Sequence, residues 1–353
     1  MKDTTENAQP TITLATPYIS SQRGNSITAQ RLKSGYESKG YTVEVLAYEE
    51  NETYSPIVER LPNHIFHVLH AYRFANFIKK LSLPLPDQYI VTMTGTDHNS
   101  DLYDAIRRID VINVLESASY VILFHRQAAE EVAREVPTLK NKIRVIPQGL
   151  ILLEEHLQPR LSDQSKGLLK RKKADHLIFL LPAGLRPVKN IFYAIPLLKQ
   201  LRLRYPEIQL WIVGPVLDRD TYEQLLEWTE KENWVQYGGE IPFHDMSAIY
   251  RESHILLNTS LSEGQASSLM EGMSYGMPVL ASDIPGNISL IKSDETGLIF
   301  KSEIEFLQKA ESLITSMTLR MRLGHAARGW VNRSHGLDRE IADYVDLFQE
   351  MVE

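Results

Sequence analysis

Cysteine is absent from the 353-residue chain. That excludes disulfides, thiolate zinc sites and cysteine nucleophiles. Long apolar runs are missing too: none approaches the roughly 18 residues that a membrane span needs. The polar opening MKDTTENAQP carries no apolar core of a secretory signal. An excess of positive charge is also lacking. The 38 Lys and Arg against 45 Asp and Glu leave a formal net charge of −7 at pH 7, without the basic balance that a nucleic-acid partner calls for. No internal repeat or low-complexity segment stands out. What is present is an ordinary globular composition, 43% hydrophobic and 24% charged, at a length comfortable for two domains. The expectation is a soluble, cytoplasmic protein with no transmembrane segment and no nucleic-acid partner.

The informative residues concentrate in 256–300, LLNTSLSEGQASSLMEGMSYGMPVLASDIPGNISLIKSDETGLIF. An apolar run ends at Asn258, Thr259 and Ser260, and Glu263 and Glu271 follow with seven residues between them. A helical pattern then closes at Gly276 and Pro278, and a second apolar run leads into Asp283-Ile284-Pro285-Gly286-Asn287. The order is strand, polar loop, helix, strand, polar loop, with each loop at the carboxyl end of a strand, where open α/β sheets bind ligands. The main chain at Gly264, Gln265, Ala266, Ser267 and Ser268, with Leu269 after it, would open the helix and aim N–H groups and a positive dipole end at a phosphate. Glu271, when ionised, only accepts hydrogen bonds, as a pair of sugar hydroxyls requires. Taken singly, Glu263 reads equally as a helix cap and Glu271 as a solvated helix residue. Ser-Glu-Gly before and Gly-Met-Pro-Val-Leu-Ala-Ser after them favour a site.

The stretch resembles the E-x7-E signature of family 4 retaining glycosyltransferases, and within that superfamily it is similar to the glycosyltransferase 1 domain-containing proteins. A more distant likeness is to the selenosugar synthases. The resemblance implies an α/β protein of the GT-B fold, two facing Rossmann-like domains with a deep interdomain cleft. It also implies transfer of a sugar from a nucleotide-sugar donor to an acceptor, with retention, front-face attack, no metal and no other cofactor. On this reading Glu263 contacts the transferred sugar and Glu271 binds ribose hydroxyls. This copy departs at Ala266, where common relatives have glycine, and at Ser289, where an acid is frequent.

In chain order, strand patterns at 11–16, 41–46, 64–70, 89–93, 120–124 and 142–146 alternate with helical ones at 26–39, 102–110 and 127–135, which makes a parallel, doubly wound sheet the default. The loop at 20–25 ends in Gly24 and Asn25, a plain turn or a functional loop. The segment GNSITAQR looks like GN-x-x-TA-x-R of the relatives, which places Thr28 and Arg31 on the first turns of the helix. His70 is a core histidine or a cleft residue. After the fourth strand come Thr94-Gly95-Thr96-Asp97-His98, where relatives carry a sugar-contacting histidine and where TGTD looks like the selenosugar synthases. Asp97 is a helix cap or a catalytic group, and Thr96 a substrate contact. Pro147-Gln148-Gly149 closes a first, acceptor domain at 10–150.

Residues 151–175 read as a connector. Its basic run KGLLKRKK is a solvated segment or, alternatively, a peripheral contact with acidic lipid. A second, donor domain follows at 176–334. It opens on a strand and the loop Pro182-Ala183-Gly184-Leu185-Arg186-Pro187-Val188-Lys189-Asn190, whose two cations suit a diphosphate. Arg186 and Lys189 lie three apart rather than the family's five, so Lys189 is the safer assignment, with a catalytic part in charge neutralisation. Gly238-Gly239 marks the loop where relatives lay the base. Asp218-Arg219-Asp220 matches D-x-D in form but reads as a helix start. The amphipathic tail at 335–353 is expected to cross back to the first domain. Three rival readings stay open: a selenosugar-synthase-like transferase, suggested by TGTD and LRPVK, a nucleotide-sugar epimerase, and a non-catalytic nucleotide-sugar-binding module. The acceptor and the oligomeric state are left open.

Overall fold

The computed structural model describes residues 10–20, 24–50, 64–151 and 161–352. The chain divides into two compact units, Met1–Gly149 with Gly336–Glu353, and Leu150–His335. No described helix is long and apolar enough to cross a membrane.

The first unit holds strands β1 (Thr11–Thr16), β2 (Val43–Ala47), β3 (His64–Leu69), β4 (Tyr89–Thr92), β5 (Tyr120–Leu123) and β6 (Ile143–Val145). All neighbours are parallel, in the order β2-β1-β3-β4-β5-β6. Parallel strands are covered on both faces, which is why they read as near-continuous apolar runs. Phe74, Phe77 and Val111 pack one face, while Ile12, Leu14 and Leu32 belong to the core of the other.

That second core is completed by the C-terminal helix Leu337–Val352, which buries Ile341, Tyr344, Leu347 and Phe348 and contacts the helix Gly24–Ser38. Polar groups fix its register. Tyr36 Oη meets His67 Nδ1 at 2.8 Å, His67 Nε2 meets Thr92 Oγ1 at 2.8 Å, and Thr92 Oγ1 meets Tyr344 Oη at 2.9 Å. Burial pushes the His67 imidazole down to about 3, so it is neutral, with one nitrogen donating and the other accepting. Arg31, expected on the first turns of the helix after β1, donates from Nε at 2.8 Å and Nη2 at 3.0 Å to Glu340, both residues buried.

The helix expected at 102–110 is broken. Asp104 accepts from the N–H groups of Ile106 and Arg107, each at 2.9 Å, and forms a turn, so the helix runs over Arg108–Ser117 instead. Within the stretch read as a connector, Asp163–Leu169 is a helix capped by Ser162 and tied by Ser165 Oγ to Asp245 at 2.7 Å. Residues 152–160 of that stretch, and 21–23 of the expected first loop, lie outside the described residues.

The second unit holds β7 (Leu177–Pro182), β8 (Ile208–Val213), β9 (Val235–Tyr237), β10 (Ile255–Asn258), β11 (Val279–Ser282) and β12 (Leu298–Phe300). They too are all parallel, in the order β12-β11-β10-β7-β8-β9. Successive strands run outward from β7 to β9, and then the chain returns to place β10 on the other side of β7. The carboxyl ends of β7 and β10 therefore flank the topological switch point, the crevice where such sheets bind ligands. The helix Arg219–Lys231 is capped by Asp218, which accepts from the Thr221 N–H at 2.8 Å.

The buried Arg31 and Glu340 charges compensate each other, so removing one takes from the other its counter-ion in the core. Glu340→Ala is expected to destabilise the first unit by about 3–5 kcal/mol in chemical denaturation, whereas the double replacement Arg31→Met with Glu340→Leu restores most of that loss. A single variant as stable as the wild type would show that the pair does not stabilise the first unit.

Candidate active site

Two loops meet at the switch point of the second sheet. After β7 the chain passes through a tight turn at Pro187–Lys189 and reaches Asn190 in a left-handed conformation, φ 47°. After β10 it runs through Thr259 and Ser260 to Glu263. The loops are joined by main-chain and side-chain bonds: the Leu261 N–H donates to the Val188 carbonyl at 2.9 Å and Thr259 Oγ1 to the Lys189 carbonyl at 3.1 Å. This places Lys189 Nζ 2.6 Å from Glu263 Oε1.

Glu263 Oε1 also accepts from Ser260 Oγ at 2.6 Å and from Asn258 Nδ2 at 3.3 Å. Burial alone would raise this carboxyl. The Lys189 charge and the hydrogen bonds from Lys189, Ser260 and Asn258 outweigh burial and hold it below its ordinary value. It is a firmly ionised group at neutral pH. Asn258 is in turn oriented by the loop after β11. Its Oδ1 accepts from Asn287 Nδ2 at 3.1 Å and from the Ser260 N–H at 3.0 Å, and Asn287 Nδ2 reaches the Ser282 carbonyl at 3.1 Å. Gly286 packs against the Glu263 main chain, where a Cβ would lie 2.7 Å from the Glu263 carbonyl oxygen. A side chain there would push the two loops apart.

Arg186 behaves differently from Lys189. Its Nε is buried with no hydrogen-bond partner, and no carboxylate pairs with it among the described residues. Of the two cations that follow β7, Arg186 is therefore the one without an internal counter-ion, although the spacing had favoured Lys189.

The helix after Glu263 is Ser267–Ser274, and Ala266 at its cap position provides no side-chain acceptor. Helix geometry leaves first-turn N–H groups such as that of Ser268 without an intrahelical acceptor, so an anion can take their place. Leu269 does not share this role: its side chain is fully buried and its N–H bonds the Ala266 carbonyl at 3.0 Å. The expectation of a substrate contact there is corrected. Gln265 is buried and donates from Nε2 to Ser289 Oγ at 3.2 Å, and the Ala266 methyl is buried in the same core as Leu269. Glu271, a turn into the helix, accepts from Tyr250 Oη at 2.8 Å. Burial first, and then the Glu271 charge, push the Tyr250 hydroxyl far up, so it remains a donor. It is stacked on Tyr275 with ring centroids 5.5 Å apart. Gly239 has φ 72° and its carbonyl accepts from the Gly214 N–H at 2.7 Å. The loop after β9 is thus held close to the end of β8.

The first unit brings its own predicted residues to the carboxyl ends of its strands. Gly24 and Asn25 begin the helix after β1, with Gly24 exposed. His70 follows β3 at φ 75°, a strained conformation for a non-glycine residue, and its Nδ1 accepts from the Arg73 N–H at 3.4 Å. Burial, then the nearby Arg73 charge, lower its imidazole to about 4, so it is neutral. Thr96 is exposed. Asp97 is not: its fully buried carboxylate accepts from the N–H groups of Ala71 at 3.1 Å, Thr94 at 2.9 Å and Gly95 at 3.0 Å. These bonds pin the loop after β4 to the helix after β3. The geometry makes Asp97 a positioning residue, which corrects the expectation of a catalytic group. Next to it, His98 is buried, is lowered by burial to about 4, and keeps a ring nitrogen, Nδ1, without a partner.

Asn258, Ser260, Asn287 and Tyr250 were not singled out from the sequence. Asn258 and Ser260 stood in the polar break after β10, where their position offered a signal. Asn287 stood in the polar loop after the next strand, whereas Tyr250 acts from another helix and nothing local marks it.

Comparisons with known proteins agree with this architecture. The sequence profile described as glycosyl transferases group 1 matches residues 168–330. Over 331 residues, 92% of this chain and 93% of the relative, the chain is 30% identical to glycosyltransferase 1 domain-containing protein 1 of Xenopus tropicalis. Among solved structures, it is similar to sucrose-phosphate synthase from Thermosynechococcus elongatus, with a TM-score of 0.77, 18% identity and coverage of 98% and 99% of the two chains. A similar match is to Anabaena HepE in complex with UDP and glucose, with a TM-score of 0.76, 15% identity and coverage of 96% and 99%. The two parallel six-stranded sheets are those of the GT-B fold.

The Glu263 carboxyl titrates below the ordinary value of 4.5 in the folded chain. Its stabilising contribution is therefore complete above that pH and is lost as pH falls through the folded value. In Lys189→Met, burial acts with less opposition, and NMR titration should move Glu263 above 4.5. A carboxyl that still titrates below 4.5 in the variant would show that Lys189 does not control it.

Proposed function

The chain belongs to the group 1 glycosyltransferases, and from that premise we propose that it is a retaining, family 4 type enzyme that binds a nucleotide-sugar donor on its second unit. The observation that carries this reading is the Lys189–Glu263 pair across the switch point, with the unpaired Arg186 on the same loop. Departure of a nucleoside diphosphate builds negative charge on the leaving oxygens, and stabilising that charge is the main catalytic task. Arg186, Lys189 and the helix start at Ser267 and Ser268 supply positive groups for it. Arg186 presents a forked contact and Lys189 a point charge. Glu271, oriented by Tyr250, accepts from the ribose hydroxyls, and the loop at Gly239 offers main-chain groups to the base.

Glu263 is ionised and already accepts three hydrogen bonds at Oε1. A carboxylate with a depressed pKa is a poor base, so its role is to accept hydrogen bonds from hydroxyls of the transferred sugar. In the step itself, the bond from the anomeric carbon to the diphosphate oxygen breaks and its electron pair leaves with the diphosphate. The acceptor nucleophile forms the new bond on the same face, and its proton passes to the departing phosphate oxygen. No metal is needed to balance the charge on this reading. The carboxyl end of the first sheet, with Gly24, Asn25, His70 and Thr96, is assigned to the acceptor side. HepE was solved with UDP-glucose, which makes UDP-sugars the first donors to try here.

In calorimetric titrations against UDP-, ADP- and GDP-sugars, one donor class should bind. Arg186→Ala and Glu271→Ala should each weaken it about 10–100-fold, while chelation by EDTA leaves binding and turnover unchanged. Binding of no donor, or full affinity in both variants, would refute the site.

A further inference from the structure

The amino edge of the second sheet carries a feature that the donor site does not use. Parallel strands have two ends, and Arg186, Lys189 and Glu263 all follow the carboxyl ends of β7 and β10. At the opposite ends, where β7, β8 and β9 begin, lies a cavity of about 760 Å³ whose lining includes Arg171, Lys173, Glu207, Gln209 and Gln236. That volume lies within the usual range for small-molecule sites, roughly 300–1,000 Å³.

Its chemistry is specific. Gln236 Oε1 is buried without a hydrogen-bond partner. Gln236 pairs in register with Trp211, and strand alternation puts Gln209 on the same face as Trp211. A buried acceptor of this kind calls for a donor such as a hydroxyl. The carboxylates of Asp175 and Glu207 also line the cavity and only accept. On the rim, Arg171 and Lys173 are exposed cations that pair with no carboxylate among the described residues. Arg202 is rigid: its guanidinium donates to the Pro206 carbonyl at 2.7 Å and lies 5.1 Å from the centre of the Trp234 ring. No Phe, Tyr or Trp side chain is among the lining residues, and the His176 ring is the one aromatic surface there. The carboxylates disfavour a polyanion.

We propose that this cavity is a second ligand site, distinct from the donor site, that takes a sugar phosphate. Hydroxyls of the sugar meet Gln236, Gln209 and the carboxylates, and the phosphate meets Arg171 and Lys173. The test uses the full chain with an excess of the nucleoside diphosphate whose sugar the donor titrations select, so that the donor site is occupied. Isothermal titration with glucose 6-phosphate, mannose 6-phosphate and N-acetylglucosamine 6-phosphate should find saturable 1:1 binding of at least one. Glucose alone and inorganic phosphate should bind at least about tenfold more weakly, because each lacks half of the contacts. Arg171→Ala with Lys173→Ala, both at exposed positions, should weaken the bound sugar phosphate about tenfold or more with an unchanged melting temperature. Gln236→Leu should do the same through the hydroxyl contact. Absence of binding for all three at about 10 mM, undiminished affinity in both variants, or equal affinity for inorganic phosphate would each overturn the proposal. So would a requirement that this nucleoside diphosphate be left out.

Discussion

The second unit depends on one ion pair that bridges its topological switch point. Lys189 arrives from the loop after β7 and Glu263 from the loop after β10, and they meet at 2.6 Å because main-chain bonds hold those loops together. The pair sets the local electrostatics. It keeps a buried carboxylate ionised, and it leaves Arg186 as the cation without an internal partner. Everything around it serves the same geometry. Asn287 orients Asn258, Asn258 donates to Glu263, and Gly286 lets the loop after β11 approach closely.

The first unit is held by a different device. The C-terminal helix, far from the first strands in sequence, closes one of its cores. A buried Arg31–Glu340 pair and the row Tyr36, His67, Thr92, Tyr344 give that helix a defined register. An apolar face alone would allow sliding by a turn, whereas buried polar groups lose their partners if it slides. The two units thus use buried polar groups for different ends, one to set a helix and the other to fix the loops of the proposed donor site.

Much of this was legible in the sequence. The strands of both sheets read as apolar runs ending in small polar residues, since parallel strands are buried on both faces. Glu263 and Glu271 stood out through their spacing around a helix start. What was hidden depends on distance along the chain. Tyr250 serves Glu271 from another helix and leaves no local pattern, while Asn287 stood in a polar strand-end loop that did not show Asn258 as its partner. The carboxylate of Asp97 looked available for chemistry because its three backbone donors, at Ala71, Thr94 and Gly95, are set by the fold. Leu269 looked like part of a phosphate loop because the helix start was placed a few residues early. Asp104 broke an expected helix through a side-chain turn that composition alone does not reveal.

On the proposed reading, the donor's diphosphate is held at the switch point of the second sheet. A crystal structure of the chain with a bound nucleoside diphosphate tests it most directly. Phosphate oxygens are expected within hydrogen-bond distance of the Arg186 guanidinium and the Ser268 N–H, with the ribose hydroxyls on Glu271. A nucleotide bound at the amino edge of that sheet, or on the first unit with Arg186 still unpartnered, would contradict it.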